Sequence, residues 1–209
     1  MRFSYSPEIS VIMPTFNRAR YLENAVQSVL AQSVENWELI IVDDGSSDNT
    51  FETLDPYIGR FPNIRYLKHK NRKPALSRNA GIQASFGRYI TFLDSDDYYL
   101  GNHLETRMAI LKEYENVSLL SGGFLCDETI RVKDCNNTDK LVHIRECTLG
   151  GTFFGKREIF FALEGFRDLE YAEDADLWER ASSLFSVKKI EDPKTYVYRR
   201  AEDSITINY

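Results

Sequence analysis

The chain has 209 residues, of which 43% are hydrophobic and 28% charged, with 11 glycines and 6 prolines. That length suits one compact domain with an elaboration, and the composition excludes collagen-like, low-complexity and wholly disordered chains. A formal net charge of −6, from 32 acidic and 26 basic residues, argues against nucleic acid as a partner, because its binders carry a basic field.

Ile9–Met13 (ISVIM) is short, β-branched and stopped by Pro14, which reads as a buried strand. Tyr21, Leu22, Ala25, Val26, Val29 and Leu30 then recur at helical spacing and predict an amphipathic helix. Leu39–Val42 is a second buried strand running into Asp43-Asp44-Gly45-Ser46. Asp48 or Asn49 is placed to cap a helix towards Phe61. Ile64–Lys68 reads as a third strand, Leu76–Ser85 as a third helix, and Tyr89–Leu93 as a fourth strand ending in Asp94-Ser95-Asp96-Asp97. This alternation predicts βαβ units and a parallel sheet whose strand ends share one rim.

The second half is less regular. A helix from His103 to about Tyr114 precedes an apolar stretch, Val117–Phe124. Residues 127–148 are polar and suit an exposed hairpin or loop. Gly150–Phe154 reads as a strand, and Arg157–Ala162 and Asp174–Phe185 as helices. The expected organisation is a single domain, 1–209, with a nucleotide-binding half over about 1–100 and an acceptor-side half over about 101–209.

Three cysteines without CxxC spacing predict free thiols rather than disulfides or a zinc site. The N-terminal MRFSYSPE lacks a basic segment followed by an apolar core, so no signal peptide is expected, and no apolar run reaches the ~18–20 residues that span a bilayer. A cytoplasmic location follows as an expectation, at the inner membrane face if the acceptor is lipid-linked. No basic amphipathic helix demands such peripheral contact.

In open α/β sheets ligands bind beyond the carboxyl ends of the strands. Three polar clusters fall there: Pro14-Thr15-Phe16-Asn17-Arg18, Asp43-Asp44-Gly45-Ser46-Ser47-Asp48 and Asp94-Ser95-Asp96-Asp97. Like charges ~4 Å apart repel by about 4 kcal/mol at an effective dielectric near 20, and a divalent cation reverses that into binding. Oxygen-only ligands suit Mg²⁺ or Mn²⁺, which would offset a diphosphate's charge. The plainer alternatives are a solvated aspartate turn at 94–97 and a hydrogen-bonded turn at Asp43 and Asp44. Phe16 suits either a base platform or core packing, and Thr15 and Asn17 offer bonds to a base or ribose. No GxGxxG, GxxxxGK[ST], GxSxG or HExxH motif occurs, and His69, His103 and His143 lie without ligand spacing.

The segments ISVIMPTFNR, IIVDDGSSDNT, LSRNAGI, YITFLDSDD and EDADLWER, in that order over about residues 9–180, resemble the successive signatures of family 2 glycosyltransferases with the GT-A fold. The resemblance implies a Rossmann-like nucleotide-binding half fused to a smaller acceptor-side region over one mixed, mainly parallel sheet. It implies an inverting enzyme moving a sugar from a nucleoside-diphosphate sugar, UDP-linked by expectation, to a glycan or lipid-linked acceptor in surface glycan synthesis. By resemblance Pro14, Thr15 and Phe16 line the base and ribose pocket, Asp44 meets the base with Asp43 beside it, and Arg78 and Asn79 lie near nucleotide or sugar. Asp96 faces ribose and sugar, Asp97 takes the metal with Asp96, and Asp94 stands beside them.

Asp174 matches the family's catalytic base. An inverting displacement needs one acceptor-side carboxylate to take the hydroxyl proton, and a helix start would favour its ionised form. An acidic first helical turn is the plain alternative. Glu173 and Asp176 are then support or capping residues, with Trp178 packed behind. One departure is Ala201 where many relatives carry His in Tyr198-Arg199-Arg200-Ala201-Glu202-Asp203-Ser204. Arg199 or Arg200 could neutralise the diphosphate instead, or the metal shell is weaker. Other readings are a nucleotidyltransferase, although PTFNR lacks the glycine its triphosphate loop needs, a phosphoacceptor domain, and an inactive sugar-nucleotide binder.

Overall fold

The computed structural model describes residues 6–201. In chain order it contains β1 (Ile9–Thr15), α1 (Ala19–Leu30), β2 (Trp37–Asp43), α2 (Thr50–Arg60), β3 (Ile64–Lys68), α3 (Lys73–Ala84), β4 (Tyr89–Phe92), β5 (Tyr98–Tyr99) and α4 (His103–Glu113). There follow β6 (Leu119–Gly122), β7 (Phe124–Leu125), β8 (Arg131–Lys133), β9 (Leu141–His143), β10 (Phe154–Lys156), α5 (Arg157–Ala162), α6 (Glu173–Leu184), β11 (Val187–Ile190) and β12 (Tyr196–Val197).

Seven strands form one sheet in the order β11-β6-β10-β4-β1-β2-β3. β10 runs antiparallel to β4 and β6, while β4, β1, β2 and β3 are mutually parallel. β1 and β2 are buried at every position, with helices over both faces, and Ile, Val and Leu make up half of their residues. Alternate residues feed opposite cores. Val11 and Met13 pack with Leu22, Val26 and Val29 of α1, and Ile12 packs with Ile82 of α3 and with Phe92 and Phe160. A side chain at Gly81 of α3 would overlap Ile12, so the helix can lie close against β1 only with glycine there.

Pro14 does not end β1, which continues to Thr15. In a parallel ladder alternate residues bond to opposite neighbours. Ile12 bonds towards β4, accepting from Leu93 N at 3.0 Å, so Pro14 also faces that side. The β1–β4 ladder has stopped at Ile12 and Phe92, so the missing N–H has no strand partner to lose.

Other boundaries shift for identifiable reasons. The third helix begins at Lys73 rather than Leu76, with Pro74 preset for its first turn. Gly150–Phe154 is not a strand: Gly150–Thr152 forms a 3-10 turn and β10 begins at Phe154. Thr152 Oγ1 closes that turn by donating to Leu149 O at 2.7 Å. The polar 127–148 segment contains an antiparallel hairpin, β8 with β9, held down by buried Val132, Val142 and Ile144. A three-stranded sheet, β5-β12-β7, was not apparent from sequence because its strands are two residues each.

The chain steps from β1 to β2 on one side and crosses back from β3 to β4 on the other. β1 and β4 therefore flank a topological switch point, where their carboxyl ends leave a crevice.

Candidate active site

The loop after β2 is built around Asp43, which is fully buried. Its Oδ1 accepts from Ser46 N at 2.7 Å, its Oδ2 accepts from Tyr66 Oη at 2.5 Å, and Lys68 Nζ lies 3.5 Å away. Burial alone would raise this carboxyl, but the bonds from Ser46 and Tyr66 with the Lys68 charge hold it below the usual range. Asp43 is thereby committed to the turn and does not reach the cavity described below.

Gly45 adopts φ +87, where a side chain would be strained and would crowd Asn71 N and His69 O, each 3.1 Å from its Cβ position. Asp44 sits at the cavity wall and caps α3, its two oxygens accepting from Arg72 N at 2.7 Å and Lys73 N at 2.9 Å. Asn17, at φ 52, joins the first loop to the second. Its amide N–H donates to Ser46 Oγ at 2.9 Å and its Oδ1 accepts from Ser47 N at 2.8 Å. Asp48, rather than Asn49, supplies the helix cap: Oδ1 accepts from Thr50 N at 3.1 Å, and Oδ2 accepts from Ala19 N of α1 at 3.0 Å.

The aspartates after β4 diverge in their bonding. Asp94 Oδ1 accepts from Arg78 Nη2 at 2.8 Å. Asp96 lies 3.9 Å from Arg18 Nη1. Asp97 is buried, its Oδ2 accepting from Tyr196 Oη at 2.5 Å and its Oδ1 from Arg199 N at 2.7 Å. Burial first, then Asp96 and Asp94, push Asp97 well above the usual carboxylate range. Among the described residues no group of three or more His, Cys, Asp or Glu side chains converges as a metal shell. Asp96 and Asp97 alone would leave most of an octahedral ion's positions to phosphate oxygens and water, as Mg²⁺ commonly arranges.

On the opposite wall α6 opens with Glu173 and Asp174, entered through Ala172 in the left-handed region at φ 60. Asp174 Oδ2 accepts from Gly150 N at 3.0 Å and Oδ1 from Ala175 N at 2.8 Å. Burial and then the neighbouring Glu173 charge outweigh Arg78 and these bonds, so Asp174 is pushed up to about 7 rather than kept low by the helix terminus. Asp176 is spent on Arg167 at 3.0 Å and Arg180 at 2.8 Å, and Trp178 stacks on Phe153 with centroids 6.0 Å apart.

These walls enclose one cavity of about 1170 Å³. Pro14, Thr15, Phe16, Asn17, Asp44, Arg78, Asp94, Asp96, Asp97 and Asp174 all line it. Asn79 does not: its amide accepts from Phe166 N and donates to Phe166 O, both at 2.8 Å, and so holds the loop before α6. Tyr196 also lines the cavity and was missed from sequence, since its bond to Asp97 joins positions 99 apart and leaves no local signature. Ala201 is buried beside a smaller cavity of about 340 Å³ formed with Arg20, Asp96 and Arg199, while Glu202, Asp203 and Ser204 fall outside the described residues. No described helix is long and apolar enough to cross a membrane.

The sequence profile of Glycosyl transferase family 2 matches residues 10–134. TuaG of Bacillus subtilis, provisionally assigned as a teichuronic acid biosynthesis glycosyltransferase, is 35% identical over 145 residues, covering 68% of this chain and 55% of TuaG. Staphylococcus aureus TarS 1–349, solved with UDP-GlcNAc, superposes with a TM-score of 0.77 at 21% identity over 97% of this chain and 61% of that one. The mannosyltransferase PcManGT of Pyrobaculum calidifontis, solved with GDP-Man and Mn²⁺, gives 0.75 at 20% identity, covering 96% and 59%. The fold is that of GT-A glycosyltransferases. Of other curated glycosyltransferases similar at 37% to 41% identity, the chain spans between 15% and 49% of the length.

Proposed function

The chain belongs to the family 2 glycosyltransferases, and from that premise we propose that it transfers a sugar, with inversion, from a nucleoside-diphosphate sugar to an acceptor hydroxyl. One observation carries the reading: Asp96 and Asp97 on the β4 side and Asp174 on α6 line the same cavity at the switch point. Residues 1–100 supply the donor wall, and the acceptor enters from the side built by 101–209. The UDP-GlcNAc and GDP-Man complexes of the structural neighbours support a sugar-nucleotide donor, with UDP the first choice. TuaG's provisional assignment to teichuronic acid biosynthesis supports a role in polysaccharide synthesis, and the acceptor in this reading is a glycan or lipid-linked sugar.

Thr15 Oγ1 and Arg78 Nε are buried at this wall without a hydrogen-bond partner among the described residues, and a donor's oxygens would satisfy them. Phe16, 44% exposed at the rim, offers a flat face to a base beside Pro14 and Asn17. Asp44 stands close to that face, and Asp43 and Asn79 act from behind by fixing the loops. A divalent cation, Mn²⁺ or Mg²⁺, fits beside Asp96 and Asp97, whose mutual repulsion it would relieve, and would stabilise the departing diphosphate. Asp174, near neutral in pKa, takes the acceptor proton while the hydroxyl oxygen attacks the sugar carbon from the face opposite the leaving group.

A thermal-shift panel of sugar nucleotides with Mn²⁺ or with chelator tests this, since a ligand that binds only the folded state raises its melting temperature. UDP-sugars with Mn²⁺ should raise Tm, and chelator should reduce the shift. No shift with any nucleotide, with or without metal, would overturn the donor site.

A further inference from the structure

Arg78 does more than line the donor wall. Its buried guanidinium donates through Nη2 to Asp94 Oδ1 and through Nη1 to Glu173 Oε1, each at 2.8 Å, and lies 5.4 Å over the Phe166 ring. Asp94 follows β4 and Glu173 opens α6, so one α3 side chain ties the two walls of the cavity together. The adjacent Asn79 grips the Phe166 backbone from the same helix. Gly165, at φ +71, has no room for a side chain against Asn79. Among the described residues Asp174 accepts from the backbone amides of Gly150 and Ala175, and the Glu173 charge beside it acts on its carboxyl.

We propose that Arg78 is a positioning residue for Asp174: by pinning Glu173 and compensating its charge, it keeps the base carboxylate ionisable and couples it to the donor-side Asp94. The proposal rests on Asp174 being the base of the proposed reaction, but its electrostatic content can be measured without turnover. Facing Asp174 are Glu173 on its own helix, Arg78 from α3, and Cys147 and Tyr171 from the loops on the hairpin side. Glu173 favours the protonated form of Asp174 and Arg78 opposes it. Removing each therefore has opposite consequences.

The test is a ¹³C-carboxyl NMR titration of aspartate-labelled protein, with the Asp174 signal assigned from Asp174→Asn. Arg78→Met should move the Asp174 midpoint upward by about one pH unit or more, Arg78→Lys should restore part of the shift, and Glu173→Gln should move it downward. If Arg78→Met does not fold, Arg78→Lys decides, with Glu173→Gln as the check that the Asp174 signal responds to charge beside it. An Asp174 midpoint unmoved by every folded Arg78 variant overturns the proposal, whatever Glu173→Gln does. In transfer assays the acid limb of the pH–rate profile should follow the NMR midpoint. An NMR shift in a protein that transfers no sugar would leave the electrostatic linkage intact and count against the catalytic reading alone.

Discussion

Tyr196 donates its hydroxyl hydrogen to Asp97 Oδ2 at 2.5 Å, so a two-residue strand near the end of the described chain holds the carboxylate at the heart of the aspartate motif. Tyr196→Phe keeps the ring but leaves Asp97, 1% exposed, with one fewer donor. The loss should be about 1–3 kcal/mol, the usual cost of an unsatisfied buried group. Urea denaturation measures it, and the Mn²⁺-dependent part of the nucleotide Tm shift should shrink in parallel. Unchanged stability together with an unchanged metal effect would deny Tyr196 this role.

Asp97→Asn should abolish most of the Mn²⁺-dependent Tm shift while leaving metal-free nucleotide binding near its original strength. Isothermal titration with UDP, with and without Mn²⁺, separates the two. Equal metal enhancement in the variant and the parent protein would remove Asp97 from the metal position.

Asp174, at about 7 when folded against an ordinary 3.8, binds its proton more tightly in the native state. A raised carboxyl pKa contributes stability that is fully present below the unfolded value and is lost as pH rises through the folded one. Between about pH 4 and 7 this residue therefore makes the protein progressively less stable. Asp174→Asn should raise Tm at pH 8 and change it little at pH 4, while nucleotide binding persists and transfer falls by about 10²-fold or more. A variant that transfers sugar at the parent rate cannot be reconciled with Asp174 as the base.

A side chain at Gly151 would overlap the Tyr196 hydroxyl and come within 3.1 Å of Asp94 Oδ2. Gly151→Ala should displace Tyr196 and weaken metal-dependent nucleotide binding even if overall helix content is kept. Circular dichroism and the thermal-shift panel, run together, check this; normal metal-dependent binding would show that the 3-10 turn can yield.

Asp48 accepts from the first turns of both α1 and α2. Asp48→Ala should therefore destabilise by more than a single lost cap, about 1–2 kcal/mol per helix end. A fall below about 0.5 kcal/mol in urea denaturation would mean that neither end depends on it.

The first hundred residues were legible because their signals are local. ISVIM is apolar but for Ser10 and LIIV is unbroken, as suits strands covered on both faces, and right-handed crossovers bring their carboxyl ends to one rim. β3 and α5 lie where periodicity put them. Where it failed, a neighbour had intervened: Gly150–Thr152 became a turn as Thr152 closed back on Leu149, and the polar 127–148 segment hid four buried apolar residues, Ile130, Val132, Val142 and Ile144, among charges.

From the chain alone came the order of the elements through β4, the rim at which their polar ends collect, and the residue types found there, since each depends on spacings of a few positions. Tertiary packing alone divided those residues into two kinds. Asp43 and Asn79 were drawn behind the wall by Tyr66, Ser46 and Phe166, while Thr15, Asp96 and Asp174 stayed facing the cavity. It also brought Tyr196 to Asp97 and Arg78 to Glu173, pairs 99 and 95 positions apart. Hydrogen bonds act over about 3 Å, and no pattern along a chain records which distant groups will come that close.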